Sequence, residues 1–277
     1  MQKKIIVDSC CDLTPDMKKE MGITSVPLTM MLGNTEYRDD EALDMDGFMA
    51  DMKSFTGKSS SASPSPLLYQ EAIEASDEAY VVTLSQKLSG SYNNAVIGSN
   101  QAKENADGKA YVFDSKSASA GETLIAIKIF DLIKAGASRL DIIKTVNDFI
   151  NEMKTYFVLE NYSNLQKNGR LGKITGTIIQ ILNIKLIMGA DGNGEIALFE
   201  KCRGAKKMIH QLLSLIDKSG KDTKNKNLVI SHCNNHSLAD ELKQLITERF
   251  NFKKVFVVPT GGLSSLYADN KGIVLAF

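Results

Sequence analysis

The sequence predicts an α/β fold in two parts: an N-terminal, mostly parallel α/β sandwich domain over residues 1–152 and a C-terminal α+β domain over residues 153–277. In the first half, short and continuously apolar runs alternate with amphipathic segments, which is typical of parallel strands joined by helices. In the second half, two strand-like segments flank Asp191-Gly192-Asn193-Gly194, a turn sequence typical of a β-hairpin. A length of 277 residues also fits two domains.

The first elements have clear local signals. Residues 5–7 form a short apolar run, the pattern of a buried parallel strand. Thr14 followed by Pro15 predicts the start of a helix, because Thr caps helices and Pro is tolerated in their first turn. Pro27 lies inside an apolar segment over residues 23–32, so we expect this strand to be bent or to lie at a sheet edge.

Two further segments have distinctive compositions. Residues 59–66 read Ser-Ser-Ser-Ala-Ser-Pro-Ser-Pro, and composition alone favours a loop that serves as a flexible linker. Ser119 and Glu122 have the spacing of a capping box at the start of an apolar helix that ends near Gly136. The other elements predicted in this half are helices at residues 44–52, 66–75, 92–102 and 138–150 and strands at residues 80–84 and 110–113.

The second half alternates less regularly, which is why an α+β domain is predicted there. Strands are predicted at residues 155–159, 185–188, 195–200, 228–231, 255–258 and 273–276, and helices around residue 165 and at residues 175–182, 205–216 and 237–250.

The composition argues against several classes of protein. Lys+Arg and Asp+Glu both number 33, so net charge does not indicate nucleic acid or an anionic membrane as a partner. The four cysteines form no CxxC pair and no metal-ligand spacing with histidine, so we expect reduced thiols, no metal and no other cofactor. No signal peptide and no membrane span are evident, which indicates a cytoplasmic protein.

Polar residues follow the predicted parallel strands at the edge of the sheet where ligands collect. Asp8-Ser9 follows the first strand, and Ser85 to Ser91 follows the strand at residues 80–84. The turn Ser89-Gly90-Ser91-Tyr92 also precedes a helix, where backbone N–H groups and hydroxyls could hold a carboxylate or a phosphate. Ser9, Ser89 and Ser91 are therefore candidate ligand-binding residues, although the last two could simply cap the helix.

Evidence for catalysis is weaker. A nucleophilic Ser needs a base that is itself oriented by a third group, and the only histidines are His210, His232 and His236. The sequence has no nucleophile elbow, no Walker A loop and no dinucleotide-binding fingerprint. A small-molecule hydrolase or phosphotransferase that uses the Ser89 turn and His232 is the alternative to a binding protein, and no residue is assigned as catalytic.

Two arginines are candidate anion ligands. Arg170 lies in Asn168-Gly169-Arg170-Leu171-Gly172 and Arg203 in Cys202-Arg203-Gly204, so each adjoins a glycine that permits a tight backbone. The planar guanidinium suits a carboxylate or a phosphate. The alternative for each is a solvated basic loop.

Taken together, these motifs resemble the DegV family nearly from end to end. Each is weak alone, but their order and spacing make the set specific. The matching segments are Ile6-Val7-Asp8-Ser9, Asp12-Leu13, Val26-Pro27-Leu28, Ser61-Ala62-Ser63-Pro64-Ser65, Ser89-Gly90-Ser91-Tyr92, Val112-Phe113-Asp114-Ser115, Ala118-Ser119-Ala120-Gly121, Gly169-Arg170-Leu171-Gly172, Leu182-Asn183-Ile184-Lys185 and Arg203-Gly204.

The resemblance implies a carrier that performs no chemistry itself and holds one long-chain fatty acid in an apolar tunnel between its two domains. It implies that the hydroxyls of Ser61 and Ser89, with Ser91 nearby, hold the carboxylate, so that residues 59–66 are a ligand clamp rather than a linker. Some members of this bacterial family present the acid to a separate fatty acid kinase. Arg170 and Arg203 match basic positions that would face the headgroup or that partner.

The sequence departs from the family pattern at three places. The family commonly has a His followed by Gly-Pro-Gly near its C-terminus, where this chain has residues 267–272, Tyr-Ala-Asp-Asn-Lys-Gly. That His normally belongs to the headgroup network, so its loss bears on kinase coupling more than on lipid binding. Ser61 and Ser63 replace the usual Thr and Gln, which makes the clamp chemically lighter.

Overall fold

The computed structural model describes residues 3–102, 108–172, 174, 184–220 and 222–277. Within these residues the chain forms a four-stranded sheet, a three-stranded sheet and a six-stranded sheet, with helices packed around them. The mixed α/β fold class predicted from the sequence is confirmed. The predicted helix at residues 175–182 lies outside the described residues.

The first half contains two sheets. Its strands are β1 (Lys3–Asp8), β2 (Thr24–Val26), β3 (Thr29–Leu32), β4 (Thr35–Arg38), β5 (Ser59–Ala62), β6 (Glu78–Thr83) and β7 (Ala110–Asp114). Its helices are α1 (Pro15–Met21), α2 (Met45–Ser54), α3 (Pro66–Glu74), α4 (Ser91–Gln101), α5 (Ala120–Lys134) and α6 (Arg139–Glu152). Strands β2-β1-β6-β7 form a fully parallel sheet, and β4-β3-β5 form an antiparallel one.

The second half is built on the six-stranded sheet. Its strands are β8 (Thr155–Val158), β9 (Ile184–Ala190), β10 (Ile196–Arg203), β11 (Asn227–His232), β12 (Lys254–Pro259) and β13 (Ile273–Ala276), and its helices are α7 (Ser163–Lys167), α8 (Ala205–Lys218), α9 (His236–Arg249) and α10 (Gly262–Ala268). The strand order is β10-β9-β8-β13-β11-β12, with β11 and β12 parallel and the other pairs antiparallel. The predicted domain boundary falls at the end of α6, and the division into two domains stays a prediction.

Three local predictions need correction. The segment over residues 23–32 is not one bent strand, because the chain leaves the parallel sheet at Pro27 and continues in the antiparallel one as β3. Residues 59–62 are not a linker, because they pair with β3 as strand β5. Ser119 forms no capping box, since its φ is 57° and its hydroxyl donates to Asp12 instead of accepting from the helix.

Helix α5 lies between the two halves and is buried on two sides. Ile125 and Ile129 pack in a cluster with the parallel sheet of the first half. Leu124 and Ile127 pack in a second cluster with Val229, Val258 and Val274 from the six-stranded sheet. The halves therefore share a continuous apolar contact. Among the described residues, no helix is long and apolar enough to cross a membrane.

Candidate functional site

A cavity of about 350 Å³ lies beyond the carboxyl ends of the parallel strands, where the second half closes over them. This is the sheet edge at which the sequence predicts a ligand. Its wall combines residues of both halves and is largely apolar. The apolar wall includes Leu28, Leu84, Leu88, Phe157, Leu159 and Leu165. Such a lining suits a largely hydrophobic ligand.

Polar side chains also line the cavity, and two of them form a hydrogen-bonded pair. Ser61 on β5 and Tyr267 on α10 both line the cavity, and their hydroxyl oxygens are 2.8 Å apart. Tyr267 thus lies against the serine-rich segment that the resemblance implies is a ligand clamp, and it belongs to the C-terminal segment that departs from the family pattern. Ser63 lines the cavity beside them, and its hydroxyl accepts a 3.1 Å hydrogen bond from the Asn94 side chain of α4. Two hydroxyls from distant parts of the chain therefore face the same space.

The turn before α4 contributes a further hydroxyl. Ser89 lines the cavity, and its Oγ accepts a 3.2 Å hydrogen bond from the backbone N–H of Ser91. Its own O–H can therefore donate to a ligand. Ser91 is fully buried at the first residue of α4, and it is not among the residues that line the cavity.

The two arginines are placed differently. Arg170 lines the cavity, but its Nε donates to the carbonyl of Leu88 at 2.8 Å and its Nη1 donates to the carbonyl of Asn168. It therefore holds the backbone next to Ser89 as well as adding positive charge. Arg203 is exposed at the far end of β10 from the cavity-lining Ile196.

Ser9 has a positioning role in this structure. Its hydroxyl accepts a 3.0 Å hydrogen bond from the backbone N–H of Leu28, which lines the cavity. Of the six residues that the sequence singles out, Ser61, Ser89 and Arg170 line the cavity, and Ser9, Ser91 and Arg203 do not. Direct ligand contact by any of the six stays a prediction.

Buried carboxylates, which sequence reasoning did not single out as site residues, organise the surrounding loops. Asp8 accepts hydrogen bonds from the backbone N–H groups of Leu84 at 2.9 Å and Cys10 at 3.1 Å. Burial raises its pKa to about 6, although these hydrogen bonds oppose the shift. The contact joins the ends of β1 and β6, and both Leu84 and Cys10 line the cavity.

Two more aspartates fix α10 from the first half. Asp12 accepts from the N–H of Gly261 at 2.8 Å, and burial raises its pKa to about 6. Asp39 accepts from Gly262 at 2.8 Å and from Leu263 at 2.9 Å, which satisfies the first N–H groups of the helix. The signal available in the sequence was the position of Asp8 at the end of the first strand, with Asp12 four residues later.

The hairpin of the second half closes another side of the cavity. Gly194, in the turn between β9 and β10, lines the cavity, and its carbonyl accepts a 2.8 Å hydrogen bond from the fully buried Ser85 hydroxyl. The turn predicted from the sequence therefore reaches the loop that also carries Ser89.

No histidine is among the described residues that line the cavity. His232 lies at the end of β11, its ring packs beside His236 with centroids 5.3 Å apart, and burial lowers its pKa. The described wall thus brings no imidazole base to Ser89, as a nucleophilic mechanism would require.

Comparison with known proteins agrees with this architecture. The family model of DegV, described as uncharacterised proteins, matches residues 2–276. The chain belongs to the DegV family. A DegV domain-containing protein of Streptococcus pneumoniae is 34% identical over 280 residues, which cover 100% of this chain and 99% of that protein.

Solved DegV structures share the whole fold. A Ruminococcus gnavus DegV protein with vaccenic acid is 40% identical, with a TM-score of 0.94 and 99% of each chain covered. The Streptococcus pneumoniae fatty acid kinase (Fak) B3 protein loaded with linoleic acid is 33% identical, with a TM-score of 0.91 over 100% of this chain and 99% of that one. A Eubacterium eligens DegV protein loaded with heptadecanoic acid is 30% identical, with a TM-score of 0.87 over 99% and 98%.

Proposed function

We propose that this DegV protein binds one long-chain fatty acid in the cavity and carries it without transforming it. The observation that carries the proposal is the division of the wall into a larger apolar part and a smaller polar part that includes the hydroxyls of Ser61, Ser89 and Tyr267. Three DegV relatives of 30–40% identity were solved with vaccenic, linoleic or heptadecanoic acid.

The energetics match this division. Burying an alkyl chain gains about 0.8 kcal/mol per methylene, so about ten buried methylenes supply roughly 8 kcal/mol before the entropy of binding is subtracted. A carboxylate that leaves water needs hydrogen-bond donors. The hydroxyls of Ser61 and Ser89 supply them, and Arg170 adds positive charge on the same wall.

The partner in this proposal is a separate fatty acid kinase that receives the acid at its carboxyl end. The support is the likeness to the Fak B3 protein. A cytoplasmic location is part of the proposal, because all four cysteines are free and buried, as in proteins of reducing compartments.

Mass spectrometry of the purified protein tests the central claim. We expect native spectra to show one fatty acid per chain, released on denaturation and identified after organic extraction. A protein that carries no lipid and takes up neither oleate nor palmitate would refute the proposal. Ester or phosphate hydrolysis that disappears in Ser89→Ala would favour the hydrolase alternative instead.

Substitutions then test the clamp. Ser61→Ala and Ser89→Ala should each weaken fatty-acid binding about 10- to 100-fold, the value of one hydrogen bond to a charged group. Ser54→Ala, at an exposed position at the end of α2, is the control and should bind as the wild type does. Equal binding by all three variants would place the carboxylate elsewhere.

A further inference from the structure

Glu122 is a buried acid whose hydrogen-bonding neighbour is another acid, Asp8. It lies in the first turn of α5, its side chain is 0% exposed, and neither carboxyl oxygen accepts a hydrogen bond within the described residues. In the described part of the chain, no basic side chain lies within ion-pair distance of it. An ionised carboxylate in such a position would be strongly destabilising.

The groups around Glu122 are acidic or neutral. The end of β1 contributes Asp8, the loop after it contributes Cys10, Cys11 and Asp12, and α3 contributes the hydroxyl of Tyr69. Burial, followed by the charge of Asp8, raises the pKa of Glu122 well above its usual range. Glu122 therefore holds a proton, and a protonated carboxyl can donate a hydrogen bond.

We propose that Glu122 is a positioning residue for the cavity wall, which donates its carboxyl proton to Asp8 as a permanently neutral acid. Asp8 in turn holds the N–H groups of Cys10 and Leu84, both of which line the cavity. The chain of contacts runs from α5 through β1 to the start of the turn that carries Ser89. The test by fatty-acid affinity rests on the proposed function, whereas the tests of the Glu122 proton by unfolding and infrared spectroscopy do not.

Two substitutions separate the donor from mere packing. Glu122→Gln keeps a donor of the same shape toward Asp8, and Glu122→Met fills the space without one. We expect Glu122→Gln to retain wild-type fatty-acid affinity and Glu122→Met to lose at least tenfold. Equal affinities in these two variants would overturn the positioning role.

The pH dependence of unfolding tests the proton itself. Glu122 is neutral in the folded chain but ionises in the unfolded chain above pH ~4.3, so wild-type stability falls as pH rises above that value. Glu122→Gln has no carboxyl group to ionise at this position and does not lose this stability. The ratio of its folding equilibrium constant to that of the wild type should therefore rise about tenfold per pH unit between pH ~5 and ~7. Asp8 and Asp12 are present in both proteins, and Glu122→Gln keeps the hydrogen-bond donor toward Asp8, so the comparison reports on the Glu122 proton. A ratio that does not change with pH would refute the proposal.

Infrared spectroscopy gives an independent measurement. The wild type at pH 7 should show the carbonyl band of a protonated carboxylic acid, and Glu122→Gln should lack it. If Glu122→Met does not fold, the infrared band and the pH dependence of the folding-constant ratio still test whether Glu122 holds a proton. If the wild type binds no lipid, the fatty-acid proposal fails, but these two measurements test Glu122 unchanged.

Discussion

Replacing Gly194 by Ala tests whether the β9–β10 turn is held shut over the cavity. Gly194 has a φ of +90°, and a Cβ at this position would overlap Ser85 Oγ and come within 3.1 Å of Lys116 Cα. Because the Lys116 backbone cannot yield easily, the turn must move away from Ser85. The 2.8 Å hydrogen bond from Ser85 to the Gly194 carbonyl would then break.

The expected loss of stability in Gly194→Ala has two parts. A left-handed φ at a non-glycine residue costs about 1–2 kcal/mol. An unsatisfied buried Ser85 hydroxyl costs about 1–3 kcal/mol more. Gly192→Ala is the matched control, since Gly192 has a φ of +95° and no atom lies within 4 Å of its added Cβ. The difference between the two variants therefore isolates the docking contact at about 1–3 kcal/mol.

Urea unfolding measures the stability difference, and release of a fluorescent fatty acid measures the opening of the cavity. Because Gly194, Glu195 and Ile196 line the cavity, Gly194→Ala should release the lipid faster than Gly192→Ala. If both variants unfold and release lipid alike, the turn is not a closing element and the reasoning is wrong.

Four further outcomes are expected. Asp12→Asn removes a buried acid whose pKa is raised from 3.8 to about 6. The stability of the wild type therefore falls as pH rises from about 4 to about 6, because this acid ionises earlier in the unfolded chain. In urea unfolding, the free energy of unfolding of the variant should gain about 3 kcal/mol on that of the wild type over this window. Asp39→Ala leaves two N–H groups of α10 without their acceptor and should lower the free energy of unfolding by about 2–4 kcal/mol, with the exposed Asp46→Ala as control. Thr14→Ala removes the hydroxyl that accepts from Met17 N–H and should cost about 1 kcal/mol, whereas Thr14→Ser should cost little; equal losses in a thermal melt would exclude capping. Tyr267→Phe removes the hydroxyl bonded to Ser61 and should weaken fatty-acid binding about fivefold in a titration, and unchanged binding would remove Tyr267 from the headgroup site.

Elements with local signals could be predicted closely from the sequence. Strand β13 occupies residues 273–276 as expected, because a short apolar run that follows a turn sequence, here Asn270-Lys271-Gly272, indicates a buried strand by itself. Thr14 caps α1 through the Met17 N–H, as Thr-Pro at a helix start indicates. These features depend on neighbours a few residues away.

Elements that depend on distant partners were missed. Strand β5 contains only Ser and Ala, and it is a strand because β3 offers it a partner. Helix α10 starts at two glycines without a capping side chain of its own, and its cap is Asp39, 223 residues earlier in the chain. Ser119 and Glu122 match a capping box in spacing, but the Ser119 backbone turns into a positive φ and Glu122 enters the core.

In the candidate site, too, residues in local motifs could be predicted and contacts between distant segments could not. Ser61, Ser89 and Arg170 could be selected because they lie in short motifs. The contact between Ser61 and Tyr267 spans 206 residues and could not be read from either segment. The family resemblance indicated that the loops of Ser61 and Ser89 act together. The Tyr267 hydroxyl on α10 became evident only from the fold.

The same long-range contacts bear on the predicted division at residue 152. Helix α5 belongs to the first half, yet its Leu124 and Ile127 are buried by the six-stranded sheet of the second. The cavity is likewise walled from both sides, since Leu84 comes from the first half and Phe157 from the second. A fragment of residues 1–152 would therefore expose an apolar face of α5 and keep only part of the cavity wall. We expect it to self-associate in sedimentation experiments and to bind no fatty acid, because both the tail surface and the hydroxyl cluster need the second half in place. A monomeric fragment that retained lipid would show that the first half builds the site alone.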